Sequence, residues 1–362
     1  MSNLEVLIRR ALKVYRWSLH RVFGLSRRSI MPPGEACCVE HFKFEQNNGD
    51  VVHPCVRYSI NAFRGHHWWM VYTPYYDANA SIENPILCFG VNKSDSGPIE
   101  WFPYMEIVGA PDTGYNSDPT MFFESGKLYI YWRENFTPKT SRDGVSRATY
   151  SCILSESDIV YGDIPILSEQ EEFEDKQVSP AILNSTGGYL GYGMHITFLN
   201  PKLRAANKYL DRLIRYLVGA LATLEIFSDK KSHGISIWRS DNPSDSFKYI
   251  RTVPIENCNR LYKPWHLDCF VYENRLFAVI QTTQCNADIC LAVSDDWENF
   301  IMYSNPLITN ESIDKVGLYK PTAFVHKDIF YLYYTAQNHN DRSLNMLYVT
   351  HMPFKEVLDK IA

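Results

Sequence analysis

The chain has 362 residues, 45% hydrophobic and 14% aromatic with 24 Tyr and 8 Trp, a composition that supports a large aromatic core and excludes a disordered chain. Its 36 Lys and Arg against 41 Asp and Glu give a net charge of −5, and no run of about 18 apolar residues occurs, so neither a nucleic-acid partner nor a membrane-spanning helix is expected. Nine cysteines, an odd number without a CxxC pair, argue against a disulfide framework or structural zinc and favour a reducing, cytoplasmic setting.

Residues 3–24 place Leu4, Leu7, Ile8, Ala11, Leu12, Tyr15, Leu19 and Val22 at helical intervals, with Arg9, Lys13, Arg16 and His20 between them. This predicts an N-terminal basic amphipathic helix. Residues 1–30 hold seven Lys or Arg and one acid, net +6, so the rest of the chain carries −11. Such a helix either lies on an anionic membrane face or packs against the body or a partner subunit. Pro32-Pro33-Gly34 interrupts the pattern, which sets residues 1–33 apart as helix and linker and leaves 34–362 as one domain.

From residue 53 onward one pattern recurs five times. Its clearest copy is Asp118-Pro119-Thr120-Met121-Phe122-Phe123-Glu124-Ser125-Gly126-Lys127-Leu128-Tyr129-Ile130-Tyr131-Trp132, two strands around a tight turn. The others open at His53-Pro54, Ser179-Pro180, His266-Leu267 and Lys320-Pro321. Further strands are expected at 86–91 and 99–104, at 148–154 and 165–167, at 235–238 and 247–253, at 289–293 and 299–304, and at 346–349. Four strands per repeat predict an all-β fold, a five-bladed β-propeller of four-stranded antiparallel blades. The fifth repeat lacks its last strand, and 37–45 is expected to supply it and close the ring. A short helix is expected near 353–361.

Two smaller patterns complete the chain. Ser94-Asp95, Ser240-Asp241 and Ser294-Asp295-Asp296-Trp297 read as side-chain-capped turns, a structural signature. In blade three, Leu203, Ala206, Leu210, Leu213, Leu217, Ala220, Leu221 and Leu224 recur at helical spacing beside Lys202, Arg204, Lys208, Arg212 and Arg215, which predicts a helical insertion over 202–226. This insertion and the loops 74–85 and 134–146 are expected to rim the axial pocket. Residues 1–28 and 202–224 together would give peripheral contact with an anionic membrane at its inner face.

Innermost strands of a propeller line its axis, so the residues opening the repeats converge there: His53, Asp118, Ser179, His266 and Lys320. Asp268, Trp265, Arg133, Glu134, His195 and Gln281 lie on or after the same strands. Two His and one Asp could also form a metal site; three separate blades merely placing polar groups on a wet channel is the preferred reading, and no cofactor is expected. Trp265, Trp132 and Tyr192 are candidates for stacking on sugar rings, against the commoner role of strand aromatics as core.

The Asp-Pro opening with Gly-Lys-Leu-Tyr-Ile-Tyr-Trp on the return strand resembles the five-bladed propellers of glycoside hydrolase family 43 and its relatives, families 32, 62, 68 and 130. The resemblance spans roughly residues 37–352 and implies a carbohydrate-active enzyme working on a glycosidic bond in the axial pocket. In family 43 an Asp general base precedes the first-blade Pro, a second-blade Asp tunes the acid, and a Glu acid lies two residues before the third-blade Pro. Asp118 matches the second position; the first is His53 and the third falls at Val178. Inverting hydrolysis needs two carboxyl groups roughly 6.5–9.5 Å apart, so the expected catalytic residues are Asp118, His53, His266 and Asp268, with Glu172, Glu174 or Asp175 as further sources of an acid. Ser179, Lys320, Arg133, Glu134, Trp265, His195 and Gln281 are expected to bind substrate. A phosphorylase or transferase variant, as in family 130, would use the cationic groups to hold a sugar phosphate or a lipid-linked glycan. The alternative is a catalytically inactive glycan-binding propeller.

Overall fold

The computed structural model describes residues 28–40, 50–76, 79–92, 97–136, 145–162, 164–170, 175–197, 233–258, 262–284, 288–309, 316–337 and 345–361. The N-terminal helix, the helical insertion, Ser94-Asp95, Glu172 and Glu174 fall outside them. Two short strands come first, β1 (Glu35–Ala36) and β2 (Cys38–Val39), followed by blade one: β3 (Val51–Phe63), β4 (His66–Pro74), β5 (Ile86–Val91) and β6 (Glu100–Glu106). Blade two holds β7 (Tyr115–Glu124), β8 (Lys127–Asn135) and β9 (Val145–Leu154), with β10 (Ile159–Tyr161) and β11 (Leu167–Gln170) sharing the outer edge of β9. Blade three is β12 (Asp175–Ser185), β13 (Gly188–Thr197), β14 (His233–Ser240) and β15 (Lys248–Glu256). Blade four is β16 (Tyr262–Tyr272), β17 (Arg275–Gln284), β18 (Ile289–Ser294) and β19 (Phe300–Met302). Blade five is β20 (Val316–His326), β21 (Ile329–Gln337) and β22 (Asn345–Pro353), and the helix α1 (Phe354–Ile361) follows.

Neighbouring inner strands touch in a closed cycle, β3 to β7, β7 to β12, β12 to β16, β16 to β20 and β20 back to β3. The hydrophobic core is correspondingly divided into five clusters, each between two adjacent blades. Strand period explains the sequence. On β4, Trp68, Met70 and Tyr72 face blade five while Trp69 and Val71 face blade two; on β8, Leu128, Ile130 and Trp132 face blade one while Tyr129 and Tyr131 face blade three. A strand covered on both faces reads as a continuous apolar run, because alternate side chains are buried in different interfaces.

The expected ring closure is corrected in detail. Glu35–Ala36 pairs antiparallel with β22 of blade five, whereas Cys38–Val39 crosses over and pairs parallel with β6 of blade one. Among the described residues the pairing thus begins earlier than 37, at Glu35, and it joins the last blade to the first. Blades three and four are also joined at their outer edges, where β15 and β19 pair in parallel.

Four inner hairpins end in two-residue turns with positive φ at both positions: Arg64-Gly65, Ser125-Gly126, Glu273-Asn274 and Lys327-Asp328. That backbone matches the right-handed twist of the flanking strands. The Ser-Asp pattern is a structural cap, as its sequence suggests: the Asp296 carboxylate accepts from Ser294 Oγ and from the Glu298 and Asn299 amides.

Candidate active site

Every inner strand breaks register where its repeat opens: between Val52 and Cys55, Ser117 and Thr120, Val178 and Ala181, Pro264 and His266, and Tyr319 and Thr322. Such bulges re-aim side chains. At His53 (φ 53°) and Asp118 (φ 48°) the bulge forces left-handed backbone on residues that precede proline, a conformation doubly disfavoured and characteristic of functional positions.

Three openers meet on the axis. His53 Nε2 lies 3.4 Å and His266 Nδ1 lies 3.7 Å from Asp118 Oδ1, and the ligand atoms of the three residues all lie within 4.8 Å of one another. No other set of three or more His, Cys, Asp or Glu side chains approaches this arrangement among the described residues. The three side chains come from three separate blades, as expected, and are buried where a wet channel was expected.

The surroundings fix each member. Arg133 on β8 forms an ion pair with Asp118 Oδ2. Asp118 Oδ1 makes no hydrogen bond among the described residues. Burial alone would raise the Asp118 pKa, but Arg133, then His53, His266 and Lys320, hold it well below the usual carboxylate range. Burial pushes His266 well below the ordinary histidine value, against the upward pull of Asp118, so its ring is neutral at pH 7. His53 Nδ1 lies 3.1 Å from Thr73 Oγ1 and 3.2 Å from Glu83 Oε2, so a proton on Nδ1 has an acceptor in the Glu83 carboxylate. Lys320 Nζ donates to the Pro119 carbonyl at 3.0 Å; burial lowers its pKa, and Asp118 partly offsets that.

Glu83 and Tyr319 escaped the sequence reading. Glu83 follows a single 3-10 turn, Ala80–Ile82, inside the loop expected to rim the pocket, and its carbonyl accepts the Asn116 amide. No residue spacing announces it. The Tyr319 hydroxyl lies in hydrogen-bond contact with His53 Nε2 at 3.1 Å, and Tyr319 sits one position before the Lys320 opener, so the repeat itself could have pointed to it.

The other expected residues have different places. Asp268 is corrected from a catalytic to a structural role: Arg57 contacts both its carboxylate oxygens at 2.7 and 2.8 Å, and Thr322 Oγ1 and the Cys269 and Ala323 amides also donate to it. Such a saturated carboxylate has no lone pair to spare for proton transfer. Gln281 is the register partner of His266 and is buried; its amide nitrogen donates to the Thr282 carbonyl. Trp265 is half-buried with its ring edge-on to His266, 6.2 Å between centroids. Trp132 and Tyr192 are buried in blade interfaces and belong to the core. Glu134 is half-buried opposite Asn116, and His195 lies on β13 opposite Gln177 and Gly234 in blade three. Ser179 lies in the β12 bulge, and its side chain falls outside the described residues, as does that of Asp175.

No protein-family profile matches the chain, and no curated protein matches it in sequence. Among solved structures it superposes on an N-acetylgalactosamine deacetylase from F. plautii, in complex with blood group B trisaccharide, with TM-score 0.67 and 13% identity over 92% of this chain and 98% of that one. A GH43_1 enzyme from Xanthomonas citri complexed with xylotriose gives TM-score 0.54 and 12% identity over 84% and 87%. An exo-1,5-alpha-L-arabinanase from a bovine ruminal metagenomic library gives 0.52 and 10% over 86% and 96%. The fold is a family-43-type propeller.

Proposed function

We propose that this propeller is a glycan-acting hydrolase whose axial cluster seats a divalent metal, and that it removes an acyl substituent from a sugar instead of cutting a glycosidic bond. The observation that carries this reading is Asp118 Oδ1. A carboxylate oxygen without a hydrogen bond among the described residues faces Nε2 of His53 and Nδ1 of His266 at 3.4 and 3.7 Å, an arrangement that a cation between them would satisfy. Glu83 behind His53 Nδ1 completes the usual carboxylate–histidine–metal relay, which fixes the tautomer and raises the basicity of the ligating nitrogen.

The donor set of two imidazoles and one carboxylate suits zinc, iron or manganese. Such an ion, when bound, polarises a carbonyl and lowers the pKa of water. The chain's own residues do the remaining work. Arg133 anchors Asp118 through its second oxygen, Glu83 and Thr73 stand beside Nδ1 of His53, and Lys320 holds the Pro119 carbonyl next to the cluster. Two-carboxylate hydrolysis finds little support: Asp268 is saturated by Arg57 and Thr322, and Glu83 is committed to His53 and Thr73. The superposition on a deacetylase with TM-score 0.67, against 0.52 to 0.54 for the two glycosidases, points the same way.

The test is acetate release from N-acetylated and O-acetylated oligosaccharides, with reducing-sugar release measured in parallel. Acetate should appear, stop with a chelator, return with divalent metal, and fall at least about 100-fold in Asp118→Asn and His266→Gln. Chelator-insensitive release of reducing sugar would overturn the reading in favour of glycosidic cleavage. Glycan binding with neither product would make the chain a non-catalytic lectin-like propeller.

A further inference from the structure

We infer that the Tyr319 hydroxyl and a divalent cation compete for one lone pair, on His53 Nε2, so that Tyr319 is the exchangeable plug of the axial seat. The inference rests on the cation reading above but concerns a residue outside the donor set.

A cation can take His53 Nε2 only when that nitrogen presents its lone pair, with the ring proton on Nδ1 toward Glu83 Oε2 at 3.2 Å, and in that tautomer the Tyr319 O–H at 3.1 Å is the donor to the same lone pair. One lone pair cannot serve a proton donor and a metal together. Cation binding therefore displaces the hydroxyl. Tyr319 is also placed to move: it is half-buried, whereas His53, Asp118, His266, Glu83 and Lys320 are each no more than 6% exposed. Its main chain is fixed, since its carbonyl accepts from Thr335 Oγ1 at 3.4 Å and a bulge follows it on β20. The ring leans on His266, edge to face at 4.6 Å between centroids, and lies 5.4 Å from the His53 ring. Displacement thus needs a side-chain adjustment alone, and it leaves a phenolic donor beside the seat, able to hydrogen-bond a bound sugar oxygen. No proton is transferred and no bond to Tyr319 is made.

Tyr319→Phe keeps the ring and its contact with His266 while deleting the competing group. Calorimetric titration of the metal-free wild type and Tyr319→Phe with Zn²⁺ and with Mn²⁺ should show about 2- to 10-fold tighter binding by the variant, the effect of one net hydrogen bond. Equal or weaker binding by Tyr319→Phe overturns the plug, weaker binding meaning that the phenol oxygen is itself a ligand; the cation reading survives either result. Absence of binding by the wild type overturns both. Should Tyr319→Phe fail to fold, 3-fluorotyrosine at position 319 of the otherwise unchanged protein reports the same event. Its fluorine resonance should shift along the metal titration with the calorimetric midpoint, and a resonance that ignores the metal overturns the plug.

Discussion

Two buried aspartates on the axis, Asp118 and Asp268, show how surroundings decide a residue's use. Both are held below the ordinary carboxylate range against the cost of burial. Asp268 spends its lone pairs on Arg57, Thr322 and two amides; Asp118 keeps one oxygen turned to two imidazoles. Replacing Asp268 by Asn leaves Arg57 buried without its counter-charge, so the variant should lose about 3–5 kcal/mol of stability in urea unfolding. The pH dependence follows from the direction of the shift. A depressed carboxyl pKa contributes stability that is present above the unfolded value of about 3.9 and is lost as pH falls below it. Asp268→Asn should therefore show a smaller loss of stability between pH 5 and pH 3 than the wild type does. Residue-level legibility was uneven for a physical reason. His53, Asp118, His266 and Lys320 could be read because the repeat brings equivalent positions to one axis. Glu83 could not, since a loop residue owes its place to the Asn116 amide and the turn before it. Asp268 was misread because its neutralising partner, Arg57, comes from another blade.

At the scale of elements, the inner hairpin repeats its geometry more faithfully than its sequence. Ser125-Gly126 announces a tight turn, whereas Glu273-Asn274 and Lys327-Asp328 adopt the same left-handed backbone without glycine. Gly126 has φ +74° and no atom within 4 Å of where a Cβ would stand, so Gly126→Ala meets strain but no clash. It should cost about 1–2 kcal/mol, measurable by chemical unfolding. Asn274→Gly at φ 64° should be neutral or stabilising in the same assay. The strand runs were legible because both faces of each blade are buried and alternate residues still sort cleanly between two interfaces. The outer edges were less so. Blade two completes itself with two short strands on β9 where a single weak one was expected, as an edge strand has one neighbour and a weak pattern.

Across the whole molecule, the five blades form a ring whose last interface joins the two ends of the described chain. Glu35–Ala36 on β22 and Cys38–Val39 on β6 bridge blades five and one, and Gly34 N adds a hydrogen bond to the Tyr334 hydroxyl at 3.0 Å. Deleting residues 1–39 should lower the unfolding midpoint and broaden the transition in calorimetry, because an unlatched ring loses that interface first. Deleting residues 1–27 keeps every one of those pairings and should leave the transition sharp. Ring closure was legible as a need, from a fifth repeat one strand short. Its register was not, because the three-residue shift from 35–36 to 38–39 depends on edges that only the assembled blades present.

The latch bears on biosynthesis as well as on stability. His53, Asp118, His266 and Tyr319 come from blades one, two, four and five, so the cluster with its Tyr319 contact exists only once β20 has been made. Contacts spanning some 300 residues form late and slowly, and a chain stopped before β20 holds His53, Asp118 and His266 without Tyr319 or the ring closure that follows it. A nascent propeller would thus lack its finished site until its circle is complete.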